Sequence, residues 1–130
     1  MSAPKVLVVE DDESLALLID TVLRKNGYEA RIVTDGIQAM SVSREFRPDL
    51  VILDFMFPGG GGPAFHNRLR MLVQTKHTPI LILSAVDESE VIKKIAFDPN
   101  TYFLGKPYQK QELLDILSQM LEPDGAADAA

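Results

Sequence analysis

At 130 residues with a formal charge of −6, the chain has room for one folded domain of the usual size, roughly 100 to 150 residues around a single core. Its acidity argues against a phosphate-backbone contact surface, which needs clustered Lys and Arg, so direct nucleic-acid binding is not expected. The lack of cysteine excludes disulfides and thiolate metal sites, and 46% hydrophobic with 25% charged residues excludes extensive disorder.

The N-terminal stretch MSAPKVLVVEDD reaches acidic residues after a short apolar run, Val6 to Val9. That is far below the about 20 residues of a membrane span, and too short for a secretory segment. No membrane association and a cytoplasmic location are therefore expected. Val6 to Val9 reads as a first strand. Leu15, Leu18, Ile19, Val22 and Leu23 then fall on one helical stripe, closed by Asn26-Gly27 as a C-terminal cap signal. Glu29 to Val33 carries more charge and reads as an edge strand. A second helix starts near Asp35-Gly36, runs through Ala39, Met40 and Val42, and ends near Arg47, where Pro48 discourages continuation.

Leu50 to Leu53 forms the third strand, and a third helix carries Phe65, Leu69, Leu72 and Val73. Ile80 to Leu83, entered at Pro79, is the fourth strand. A short helix around Val91, Ile92 and Ile95 is closed by Asp98-Pro99-Asn100. Tyr102 to Leu104 is the last strand, and Leu113, Leu114, Leu117, Met120 and Leu121 mark the last helix. Residues 1–122 are thus read as the domain. The small, acidic, aperiodic remainder, 123–130, is read as a flexible tail or the start of a linker.

Continuous apolar runs are the pattern of strands covered on both faces. Their strict alternation with helices predicts a doubly wound parallel sheet with right-handed crossovers. In such sheets ligands sit at the carboxyl ends of the strands, beside the switch in strand order. Glu10-Asp11-Asp12 follows the first strand, Asp54 ends the third, Ser84 ends the fourth and Lys106 lies just beyond the fifth. A flavodoxin-like (βα)5 fold of order 2-1-3-4-5 makes those four strands neighbours, so these side chains converge on one edge.

Two like charges about 4 Å apart repel by roughly 4 kcal/mol at an effective dielectric of 20. Three carboxylates there need a proton or a cation, and oxygen ligands with open positions suit Mg²⁺. A carboxylate can act as a nucleophile and form an aspartyl-phosphate, with a cation and a lysine neutralising the phosphoryl oxygens. Asp54, at a strand end facing the acidic group and Lys106, is the best candidate.

Together, LVVEDDES, PDLVILDFMFPG, ILILSA and YFLGKPY resemble, in order and spacing, the signature segments of the receiver domain of two-component response regulators. The resemblance covers roughly Lys5 to Leu121. It implies that Asp11 binds Mg²⁺ directly, Glu10 binds it through water, and Met56 offers its backbone carbonyl. It makes Asp54 the phosphoacceptor, receiving its phosphoryl group from a sensor histidine kinase or a histidine phosphotransfer protein. Ser84, the backbone amide of Ala85, and Lys106 would contact the phosphoryl group, and the Lys106-Pro107 bond would be cis. Ser84 and Phe103 would switch on activation, changing the face formed by the fourth helix, fifth strand and fifth helix for a downstream protein partner or a domain outside this chain. No turnover of a separate substrate is implied.

The chain departs from the common pattern at several points. Gly59 to Gly62 replace a more varied loop and read as a recognition element, a close-approach surface or a plain turn. Asp98-Pro99-Asn100 stands where the family often has Gly-Ala. Phe103 lacks a hydroxyl, so switching there rests on ring packing. Asp12 reads as a helix-start residue, His66 and His77 as surface residues, and Met40, Met56, Met71 and Met120 as packing residues. Two rivals remain at this level. One is a Mg²⁺-dependent aspartyl phosphohydrolase, although Met56 stands where such enzymes commonly carry a second carboxylate. The other is a pseudo-receiver that keeps the fold without phosphorylation. The chain is read as a stand-alone regulator, a relay intermediate or a receiver from a longer protein.

Overall fold

The computed structural model describes residues 3–56, 61–96 and 98–121. The chain alternates β1 (Lys5–Val9), α1 (Glu13–Lys25), β2 (Glu29–Val33), α2 (Gly36–Phe46), β3 (Leu50–Asp54), α3 (Gly61–Met71), β4 (Ile80–Ser84), α4 (Glu88–Val91), β5 (Thr101–Gly105) and α5 (Lys110–Leu121). The strands form one parallel sheet in the order β2-β1-β3-β4-β5. Among the described residues, no helix is long and apolar enough to cross a membrane.

Period-two alternation splits the strand side chains between two cores. Leu7, Val9, Val51, Leu53, Ile80 and Ile82 face α2, α3 and α4 through Ala39, Phe46, Phe65, Leu69 and Val91. Val6, Val8, Leu50, Ile52, Leu81 and Leu83 face α1 and α5 through Ile19, Leu23, Leu113, Leu117 and Met120. Burying each such aliphatic side chain contributes about 1.5–3 kcal/mol. This double coverage explains why the central strands lack polar alternation.

Local chemistry sets the helix ends. The carboxylate of Asp12 accepts from the Leu15 amide and Asp35 from the Gln38 amide, which caps α1 and α2. Asn26 ends α1, and Gly27 follows in the left-handed region at φ 89°. Arg47, at φ 53°, caps α2 before Pro48.

Several expectations are corrected. In α1 the inward stripe is Ala16, Ile19 and Leu23, while Leu18 is 61% exposed; with Leu17 and Leu18 adjacent, only the packing decides which residues turn inward. Helix α3 stops at Met71, so Leu72 and Val73 lie beyond it and Val73 is exposed. Met56 and Met71 are exposed by 69% and 83% and do not pack, unlike Met120. Gly61 and Gly62 open α3 instead of belonging to a loop, while Gly59 and Gly60 lie outside the described residues, as does the 123–130 segment.

Candidate functional site

The carboxyl ends of β1, β3, β4 and β5 bring the acidic and basic side chains together. One carboxylate oxygen each from Glu10, Asp11 and Asp54 lies within 4.8 Å of the others. Glu10 and Asp54 are buried and Asp11 is exposed. The Nζ of Lys106 donates to Oδ1 of Asp54 at 3.3 Å, and the Met56 amide donates to the same oxygen at 3.2 Å. The backbone fixes this geometry. The Phe55 amide donates to Leu83 O at 2.9 Å and the Lys106 amide to Ser84 O at 2.7 Å, so the residues following β3 and β5 are both tied to β4. The Lys106-Pro107 peptide is cis.

Glu10 carries the clearest sign of electrostatic stress. Its Oε2 accepts from the Asp12 amide at 3.2 Å. Its Oε1 is buried with no hydrogen-bond partner among the described residues. Burial pushes its carboxyl up to about 7, the Asp12 amide pulls it down, and the neighbouring Asp54 carboxylate raises it further. An orphaned, buried carboxylate oxygen beside two more carboxylates fits a hard divalent cation held by oxygen ligands.

Ser84 is placed differently. It ends β4, but its hydroxyl accepts from the Val86 amide at 2.8 Å and donates to Val86 O at 3.0 Å, so it is engaged by the following loop. Ala85 follows it on that loop. Phe103 is half-buried against the core of the α2, α3 and α4 face. It lines, with Ser84, Ala85, Val91 and Lys106, a cavity of about 230 Å³.

The sequence left one feature open, the role of Gly62, and missed two more, Tyr108 and His66. Gly62 packs so closely on the end of β3 that a Cβ there would stand 2.8 Å from Phe55 Cα. Tyr108, just after the cis peptide, lies near the acidic group, and burial, then the charges of Glu10 and Asp54, push its phenol up. His66, expected at the surface, is 1% exposed, with Nε2 3.1 Å from Asp98 Oδ2 and 2.8 Å from Thr101 Oγ1. The following residues Asn67 and Arg68 are polar and exposed, Asn67 Oδ1 stands 3.4 Å from His66 Nδ1, and the two partners of Nε2 lie more than thirty residues away. His77 is exposed.

A doubly wound sheet of this order, with an acidic cluster and a lysine at its carboxyl edge, defines a class, and the family model of the response regulator receiver domain matches residues 6–118. The chain belongs to that family. The DNA-binding response regulator MtrA of Mycolicibacterium paratuberculosis is 38% identical over 111 residues, which are 85% of this chain and 48% of that protein. The chain thus spans about half the length of the curated relatives it matches. Chemotaxis protein CheY4 of Vibrio cholerae superposes with a TM-score of 0.86 at 32% identity, covering 92% of this chain and 100% of that one. The receiver domain of the sensor histidine kinase PA1611 from Pseudomonas aeruginosa PAO1, solved with magnesium in its active site cleft, gives 0.80 at 27% identity, covering 92% and 98%.

Proposed function

We propose that this receiver domain accepts a phosphoryl group on Asp54 in a Mg²⁺-dependent reaction, in the cytoplasm, from a sensor histidine kinase or a histidine phosphotransfer protein. The observation that carries the reading is the clustering of Glu10, Asp11 and Asp54 within 4.8 Å, with Lys106 3.3 Å from Asp54. The Asp54 carboxylate attacks phosphorus, an O–P bond forms, and the P–N bond to the donor imidazole breaks as that ring takes up a proton. The product is an acyl phosphate.

Glu10, Asp11, Asp54 and the Met56 carbonyl would hold Mg²⁺, which supplies charge neutralisation when bound; the magnesium in the Pseudomonas receiver domain supports this assignment. Lys106 already reaches Asp54 and is poised to hold a phosphoryl oxygen. To reach the phosphoryl group, Ser84 exchanges its two Val86 hydrogen bonds for one to a charged oxygen, a stronger acceptor, and the Ala85 amide lies on the same loop. The cavity beside Phe103 gives its ring room to turn inward as that loop moves. The face of α4, β5 and α5 then presents the change to a downstream protein or a domain outside this chain. Beyond its own phosphorylation and dephosphorylation, the domain turns over no separate substrate.

Incubation with acetyl phosphate, followed by intact-mass measurement, tests the reading. A single phosphoryl increment that requires both Mg²⁺ and Asp54 supports it. Equal incorporation by Asp54→Asn, or none by the folded wild type with several small donors, overturns it.

A further inference from the structure

Strand β5 delivers Lys106, yet among the described residues it pairs only with β4 and is less buried than β1, β3 or β4. An edge strand is held in register by one neighbour and by the faces it packs, here Phe103 on one side and Tyr102 and Leu104 on the other. A one-residue slip moves a strand by about 3.3 Å and turns every side chain to the other face. The 3.3 Å contact between Lys106 and Asp54 does not survive such a shift.

The start of β5 is held by a polar hub that includes the unusual Asp98-Pro99-Asn100 segment. Asp98 Oδ2 accepts from Arg70 Nε and from the Thr101 hydroxyl at 2.8 Å, and stands 3.1 Å from His66 Nε2. Its Oδ1 accepts from the Asn100 amide at 2.9 Å. Because the Thr101 hydroxyl donates to Asp98, its oxygen is free to accept from His66 Nε2–H at 2.8 Å, while His66 Nδ1 stands 3.4 Å from Asn67 Oδ1. Arg70 also donates to Thr75 O at 2.8 Å, Thr78 O at 2.7 Å and Asn100 O at 3.3 Å. Asn100 O in turn accepts from the Ile80 amide at 3.0 Å, beside the first β4–β5 register pair, Ile80 and Thr101. The hub therefore fastens α3, the entry to β4 and the entry to β5 at one point.

We propose that Asp98, held by His66 and Arg70, is a positioning residue for the phosphoryl-transfer site: it pins the register of β5 on β4 and so sets the reach of Lys106 to Asp54 from the far end of the strand. The proposal rests on the reading of Asp54 and Lys106 given above. The charged groups facing His66 are Arg70 from its own helix and Asp98 from the connection into β5. Burial holds the imidazole below its ordinary range, the Asn67 side chain opposes this, Arg70 adds to it and Asp98 opposes it.

Asp98→Asn, His66→Gln and Arg70→Lys test this by two readouts: phosphoryl uptake from acetyl phosphate across pH and Mg²⁺ concentration, and site-resolved hydrogen exchange. The expected result for Asp98→Asn is uptake slowed about tenfold or more at saturating Mg²⁺, because small misplacements of a reacting group are costly. Mg²⁺ affinity stays unchanged, and faster amide exchange is confined to residues 100–106. His66→Gln slows uptake less, with the same confined change in exchange; Arg70→Lys, which loses the planar fork, behaves like Asp98→Asn. Uptake within about twofold of wild type in folded Asp98→Asn, against that tenfold expectation, or exchange accelerated evenly over the whole sheet, overturns the proposal. If Asp98→Asn does not fold, the other two variants carry the test. Absence of uptake in wild type overturns the reading of the site instead, and the exchange pattern still decides whether Asp98 pins β5.

Discussion

Gly62→Ala sets two well-characterised effects against each other. Alanine is favoured over glycine in a helix interior by about 1 kcal/mol, and Gly62 lies in the first turn of α3 with φ outside the left-handed region, so propensity alone predicts stabilisation. The added Cβ, however, would stand 2.8 Å from Phe55 Cα, 2.9 Å from Phe55 O and 3.1 Å from Asp54 O. These are main-chain atoms at the end of a buried strand, and no side-chain rotation relieves them. The Gly62 amide also donates to Phe55 O at 2.9 Å, so α3 cannot retreat without losing that bond. Overpacking of this kind costs about 1–3 kcal/mol. It outweighs the propensity gain, which is smaller in a first turn, leaving a net loss of about 1–2 kcal/mol. For a chain of this size that is a fall of roughly 3–8 °C in Tm. Urea unfolding followed by circular dichroism measures it. A variant as stable as wild type, or more stable, refutes the close-approach argument.

The remaining predictions concern charge. In EDTA, Glu10 binds a proton more tightly folded than unfolded, its carboxyl being raised from 4.5 to about 7. Its contribution is fully present below pH 4.5 and is lost as pH rises through 7, a change of up to about 3 kcal/mol. Glu10→Gln flattens this dependence in unfolding experiments, and an unchanged pH slope in that variant counts against it. Added Mg²⁺ stabilises the wild type most above pH 7, where Glu10 is ionised; equal stabilisation of a Glu10→Gln/Asp11→Asn variant contradicts the metal assignment. Lys106→Met alters stability by less than about 1 kcal/mol, since its pair with Asp54 is partly solvated. It slows phosphoryl uptake by about 10²-fold through lost charge stabilisation, so a rate loss no larger than the stability loss assigns Lys106 a structural role only.

Much of this was legible because the physics is local or topological. Runs such as Leu50 to Leu53 announce strands buried on both faces, the alternation with helices points to a doubly wound sheet, and the flavodoxin-like order then gathers Glu10, Asp11, Asp54 and Lys106. The His66 hub was not legible, since a lone histidine followed by polar residues carries no sign that a carboxylate 32 residues later will meet it. The same holds for Gly62, where freedom and close approach leave the same letter in the sequence. Asp98-Pro99-Asn100 was visible only as a departure; its meaning lies in the donors that α3 brings to it. Ser84 was correctly placed at a strand end, but the direction of its hydroxyl depends on the Val86 backbone.

The central claim is that Asp54 is the phosphoacceptor, and reductive trapping tests it most directly. Borohydride treatment of the protein after reaction with acetyl phosphate and Mg²⁺ reduces an aspartyl-phosphate to homoserine, which peptide mass spectrometry locates. The account predicts homoserine at position 54, dependent on Mg²⁺ and on an intact Asp11. Homoserine at another aspartate, or a stable phosphoryl group that borohydride does not remove, contradicts it.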